Sequence, residues 1–132
     1  MTIGQRIKKI RLFRGMTQKE LGNTLGFGVH GDIRIAQYES GVRTPKEQML
    51  IKMADVFCVQ PAVFSSRVCI SKNDFMQSLF WMEESKGGGD IYDCIREWEN
   101  MKSRYEDGEI SEEEYFQWKL TYNSNPPTGT TV

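Results

Sequence analysis

The 132-residue chain is predicted to be all-α, and three features of its sequence predict it. Apolar residues recur three and four positions apart, Ser/Thr-x-x-Glu boxes stand before several of these stripes, and glycines follow their ends. Ile3, Ile7, Ile10 and Phe13 form the first stripe, with Thr2 placed to cap it and Gly15 to stop it, which gives a helix over 2–14. Its other face carries Arg6, Lys8, Lys9, Arg11 and Arg14. Thr17-Gln18-Lys19-Glu20 is a capping box, in which the threonine hydroxyl accepts from the fourth residue's amide and the glutamate reaches back. A short second helix over 17–25 follows, with Leu21 and Leu25 as its buried stripe and Gly26 as its exit.

Phe27 to Asp32 holds two further glycines and no periodicity, so it reads as a loop, with Asp32 placed to cap a third helix over 33–40. Ile35 and Tyr38 mark one side of that helix, and Gly41 ends it. Thr44-Pro45-Lys46-Glu47 is a second capping box with proline at the first helical position, where its missing N–H costs nothing. Leu50, Met53, Ala54 and Phe57 give the fourth helix its core face, and Pro61 to Phe64 forms a fifth, single turn.

Beyond Arg67 the character changes, and the chain divides into a domain over 1–67, a connecting apolar helix over 68–86, a Gly87-Gly88-Gly89 linker, a helical hairpin over 90–122 and a disordered tail over 123–132. Ser71 to Asp74 caps the connecting helix, which carries Phe75, Met76, Leu79, Phe80 and Met82. Three consecutive glycines are costly to order and read as a flexible joint. Asp90 caps the next helix, striped by Ile91, Ile95, Trp98, Met101 and Tyr105. Asp107-Gly108 is a turn, and Ser111 to Glu114 is a further box before Tyr115, Trp118 and Tyr122.

The net charge of -1 conceals an asymmetry. Residues 1–67 carry eleven Lys and Arg against five Asp and Glu, a balance of +6, whereas residues 68–132 carry six against thirteen, a balance of -7. A basic half of this kind suits a polyanion. Cys58, Cys69 and Cys94 are odd in number and too far apart for a C-x-x-C unit, which suggests reduced thiols in a cytoplasmic setting. The four spaced ligands of a zinc site are lacking, so no metal and no cofactor is expected. No apolar run reaches the ~20 residues of a membrane span. With His30 as the sole histidine there is no Ser-His-Asp set, and no G-x-x-x-x-G-K or G-x-G-x-x-G occurs, so an enzyme is not expected.

Three strings taken in order carry a resemblance: Ile3-Gly4-x-Arg6-Ile7-Lys8-x-Ile10-Arg11, then Arg14-Gly15-Met16-Thr17-Gln18-x-Glu20-Leu21, then Ile35-x-x-Tyr38-Glu39-x-Gly41-x-Arg43-x-Pro45. Over residues 2–65 the chain resembles the Cro and phage-repressor type (XRE-like) of helix-turn-helix transcriptional regulator. The resemblance implies a five-helix lambda-repressor-like domain, double-stranded DNA as partner, and a homodimer, acting as a repressor on an inverted-repeat operator in a bacterial or phage-type cytoplasm. It places Asp32, Ile33, Arg34, Gln37 and Ser40 on the base-reading face, where Arg suits guanine and Gln suits adenine. Thr17, Gln18, Lys19, Arg43, Thr44 and Lys46 become backbone contacts that set register without reading sequence. The chain departs from the family pattern between Gly26 and Ile35, where it is about three residues longer.

The acidic half supplies Phe75, Leu79, Phe80, Trp98, Tyr105, Tyr115 and Trp118 as a candidate dimer or partner interface; packing within one chain explains the same aromatics equally well. The competing reading is an antitoxin-like or adaptor protein whose acidic hairpin grips a protein partner, with DNA binding autoregulatory or lost.

Overall fold

The computed structural model describes residues 1–65, 71–85 and 89–122. Among them lie seven α-helices: α1 (Ile3–Phe13), α2 (Gln18–Thr24), α3 (Gly31–Ser40), α4 (Glu47–Phe57), α5 (Lys72–Glu84), α6 (Gly89–Glu106) and α7 (Glu112–Thr121). Short 3-10 turns occupy Gly28–His30 and Pro61–Phe64, and no strand occurs among the described residues. The chain divides into two compact units, Met1–Ser66 with Leu120–Val132, and Arg67–Lys119. The expected Gly87–Gly89 linker falls largely outside the described residues, as do Cys69 and the expected disordered tail.

The first unit closes on Ile7, Leu21, Ile35, Met53 and Phe57, drawn from the stripes of α1 to α4 and each fully buried. Such side chains contribute about 1.5–3 kcal/mol apiece on leaving water. Thr2 caps α1 in a complete box, its hydroxyl accepting from the Gln5 N–H while the Gln5 carboxamide oxygen accepts from the Thr2 N–H. Thr17 caps α2 through the Glu20 N–H at 3.0 Å. The crossing of α2 and α3 is set by two glycines. A Cβ on Gly22 would lie 2.6 Å from the Gly31 backbone, and one on Gly31 would lie 2.8 Å from Gly22, so the two helix axes approach as only side-chain-free residues allow. Gly4 likewise admits the Tyr38 and Glu39 carbonyls against α1.

Several local expectations are corrected. Gly31 belongs to α3, so the helix begins two residues early; His30 takes the cap position without a side-chain bond, and Asp32 lies in the first turn instead of capping it. The contact with Gly22 fixes that start. Residues 28–30 are a 3-10 turn, not an irregular loop. Thr44 does not cap α4: Pro45 is buried, and the helix starts only at Glu47, with Lys46 at the cap. Asp90 is likewise not a cap, because α6 already includes Gly89.

Arg11 is not on a solvated face. Its side chain is 7% exposed and is paired at 2.5 Å with Glu39, whose side chain is 5% exposed. Arg6 donates to the carbonyls of Val63 and Ser65, and Arg14 to those of Phe57 and Cys58. Much of the basic face of α1 therefore ties the domain together. At the other end of the unit, the Gln60 N–H donates to the Leu120 carbonyl at 3.0 Å, its side-chain amide donates to the Tyr122 carbonyl, and Leu120 is buried.

In the second unit Ser71 caps α5 through the Asp74 N–H, and Ser111 with Glu114 forms a complete box on α7. Tyr115 is the buried centre of the α6–α7 hairpin: it stacks on Tyr105 at 5.1 Å and on Trp118 at 6.2 Å, and its hydroxyl accepts from Trp98 Nε1. Between α5 and α6 the Tyr92 hydroxyl donates to Glu83 at 2.8 Å, and that carboxylate holds the phenol above the usual tyrosine range. α5 buries none of its residues, and Phe75, Phe80, Trp81 and Met82 are exposed, Trp81 by 70%. Among the described residues no helix is long and apolar enough to cross a membrane, and no three His, Cys, Asp or Glu side chains gather as a metal ion would need.

Candidate nucleic-acid interface

The third helix is held by its inner side. Ile35 and Tyr38 are buried in the core, Gly31 lies against α2, and Glu39 is anchored by Arg11. With that side fixed, the helical period turns the remaining positions outward. Ile33 is 53% exposed, Arg34 and Ser40 are exposed, and Asp32 and Gln37 are half-buried on the same helix. An exposed isoleucine beside an arginine and a glutamine offers an apolar contact for a thymine methyl, a fork for guanine and an amide for adenine.

Two open grooves bring the expected backbone contacts alongside. One, of about 630 Å³, is lined by Arg11, Leu12, Gly15, Met16, Thr17, Gln18, Lys19 and Asp32. It joins the start of α2 to the first turn of α3. The other, of about 500 Å³, is lined by Arg34, Tyr38, Arg43, Thr44, Lys46, Gln48, Met49 and Lys52, and so joins α3 to α4. Four of these eight are cations and none is a carboxylate. At the start of α2 the N–H groups and the dipole add a further preference for an anion.

Gln18 is more constrained than its sequence position indicates. Its side-chain Nε2 donates to Glu39 Oε2 at 2.8 Å, the carboxylate that also accepts from Arg11. The first turn of α2 is thereby fastened to the end of α3 through one buried carboxylate. Arg34 is fastened too, its guanidinium lying 5.0 Å from the centroid of the Phe27 ring.

Three participants escape the motif reading. Gln48 and Lys52 stand four apart on α4 and line the cationic groove; that spacing was available in the sequence as a polar face opposite Met53. Phe27 is the third, and no local signal marks it, because its partners Arg34 and Tyr38 are seven and eleven residues away. In the second unit Phe75, Phe80, Trp98 and Tyr105 are exposed, Leu79 and Trp118 are half-buried, and Tyr115 is taken up inside the hairpin.

No curated protein and no solved structure is significantly similar to the chain. A family model described as a helix-turn-helix domain matches residues 4–59, a span that runs from α1 through α4. The α2–turn–α3 crossing and this match agree: the chain carries an N-terminal helix-turn-helix domain.

Proposed function

We propose that the chain is a sequence-specific double-stranded DNA-binding transcriptional regulator, acting as a repressor and binding an inverted repeat as a homodimer. The observation that carries the reading is α3 itself, pinned on its inner side by Gly31, Ile35, Tyr38 and Glu39 while Ile33, Arg34 and Ser40 stay exposed between the groove at the start of α2 and the cationic groove toward α4. A helix so presented enters a major groove about 12 Å wide. Thr17, Gln18, Lys19, Arg43, Thr44 and Lys46 then meet phosphates on either side, and Asp32, Ile33, Arg34, Gln37 and Ser40 face base edges.

Dimerisation follows from the need for two such helices one DNA turn apart, and the exposed Phe75, Phe80, Trp98 and Tyr105 of the second unit supply apolar surface for it. The acidic balance of that half keeps it off the phosphates. The test is selection of bound sequences from a random duplex library with the full chain. An enriched inverted repeat is the expected outcome, and recovery of unenriched DNA contradicts the proposal.

A further inference from the structure

We propose that Phe27 is a positioning residue for Arg34, and that the lengthened turn before α3 exists to carry it; this rests on the DNA-binding reading above. Phe27 stands between Gly26 and Gly28, whose φ values are +84° and +73°. A Cβ on either glycine would meet nothing within 4 Å, so neither is there for want of space. Both serve the backbone path, since two left-handed residues around one ordinary residue turn the chain back on itself.

The turn is also fastened, because the Phe27 N–H donates to the Gly22 carbonyl at 2.9 Å. It aims the half-buried ring back over α3, 6.3 Å from the Tyr38 ring and 5.0 Å from the Arg34 guanidinium carbon. Among the described residues Arg34 has no ion pair, so the ring face is the restraint the structure gives it. A guanidinium held on an aromatic face keeps its five donors free for a ligand while losing much of its rotamer freedom beforehand. Arg34 thus meets DNA with its fork already aimed, and base discrimination at its position depends on a residue that touches no base.

The experiment measures, on the selected duplex and on duplexes changed at one base pair, the ratio of affinities for wild type, Phe27→Leu, Phe27→Tyr, Arg34→Ala and the Phe27→Leu/Arg34→Ala double variant. Leucine keeps the apolar bulk and removes the π face; tyrosine keeps the ring. Phe27→Leu is expected to lower the ratio about threefold to fivefold at the base pair where Arg34→Ala lowers it, which is within the effect a surface cation–π contact produces. Phe27→Tyr stays within about twofold of wild type, and Phe27→Leu adds nothing further in the Arg34→Ala background. A merely structural Phe27 would lower affinity for all duplexes together and leave the ratio alone. In the free protein the Arg34 side-chain NMR resonances carry a ring-current shift that Phe27→Leu abolishes. A wild-type chain that discriminates, beside a Phe27→Leu chain that discriminates equally well, overturns the role of Phe27 alone. A wild-type chain that prefers no duplex takes down the DNA reading and this inference with it.

Discussion

Arg11 shows how far one residue's role depends on distant partners. It lies 28 residues from Glu39, and nothing in the first helix marks it out from Arg6 or Arg14. In the folded chain its charge is out of water, matched by Glu39 and by the Met16 carbonyl, with Gln18 sharing the same carboxylate. Removing one member of a buried pair strands the other, at a cost of about 3–5 kcal/mol. Arg11→Met is therefore expected to lower unfolding free energy by about 3 kcal/mol or more, measured by urea denaturation. Adding Glu39→Leu should restore part of that loss, because the stranded charge is gone. A single variant as stable as wild type would mean that the pair is not desolvated.

Among the elements, legibility divides along the line between local and non-local causes. The caps Thr2, Thr17, Ser71 and Ser111 and the stripes that bury Ile7, Leu21, Ile35, Met53 and Phe57 depend on neighbours within a turn or two, and the sequence pattern shows them. The start of α3 does not, because it is decided by the backbone contact of Gly31 with Gly22, nine residues earlier. Thr44 misleads for a similar reason, since Pro45 is drawn into the core and ceases to be a helix residue. In the interface, the outward positions of α3 follow from the period, whereas the Gln18–Glu39 bond and the Phe27–Arg34 stack require the folded chain. The glycine crossing has a direct test in Gly22→Ala. Helix propensity favours alanine by about 1 kcal/mol. The methyl group, however, would meet rigid backbone at 2.6 Å, and overpacking of that kind costs about 1–3 kcal/mol. The clash wins, so the denaturation midpoint should fall and DNA affinity with it. An unchanged midpoint would show that α2 and α3 do not meet at these glycines.

For the whole molecule, the division of charge makes a quantitative demand. Of the proposed backbone contacts, Lys19, Arg43 and Lys46 are cations, three in each chain. Each neutralised phosphate contributes about -0.9 to the slope of log affinity against log salt. Two chains on one site give a slope of about -5, and one chain gives about -3. Fluorescence anisotropy of a labelled duplex over a salt series is expected to give the steeper value, with sedimentation showing a dimer. Affinity that does not change with salt would contradict a basic interface altogether.

The central claim is that the outer side of α3, flanked by the start of α2 and the Arg43–Lys46 segment, is what meets DNA. Titration of the isotope-labelled full chain with a selected duplex, followed residue by residue by NMR, tests it most directly. The account predicts that shifts concentrate at Thr17, Gln18 and Lys19, at Ile33, Arg34, Gln37 and Ser40, and at Arg43, Thr44 and Lys46, with the α6–α7 hairpin little changed. Shifts confined to α5, α6 and α7, with α3 unmoved, would contradict it.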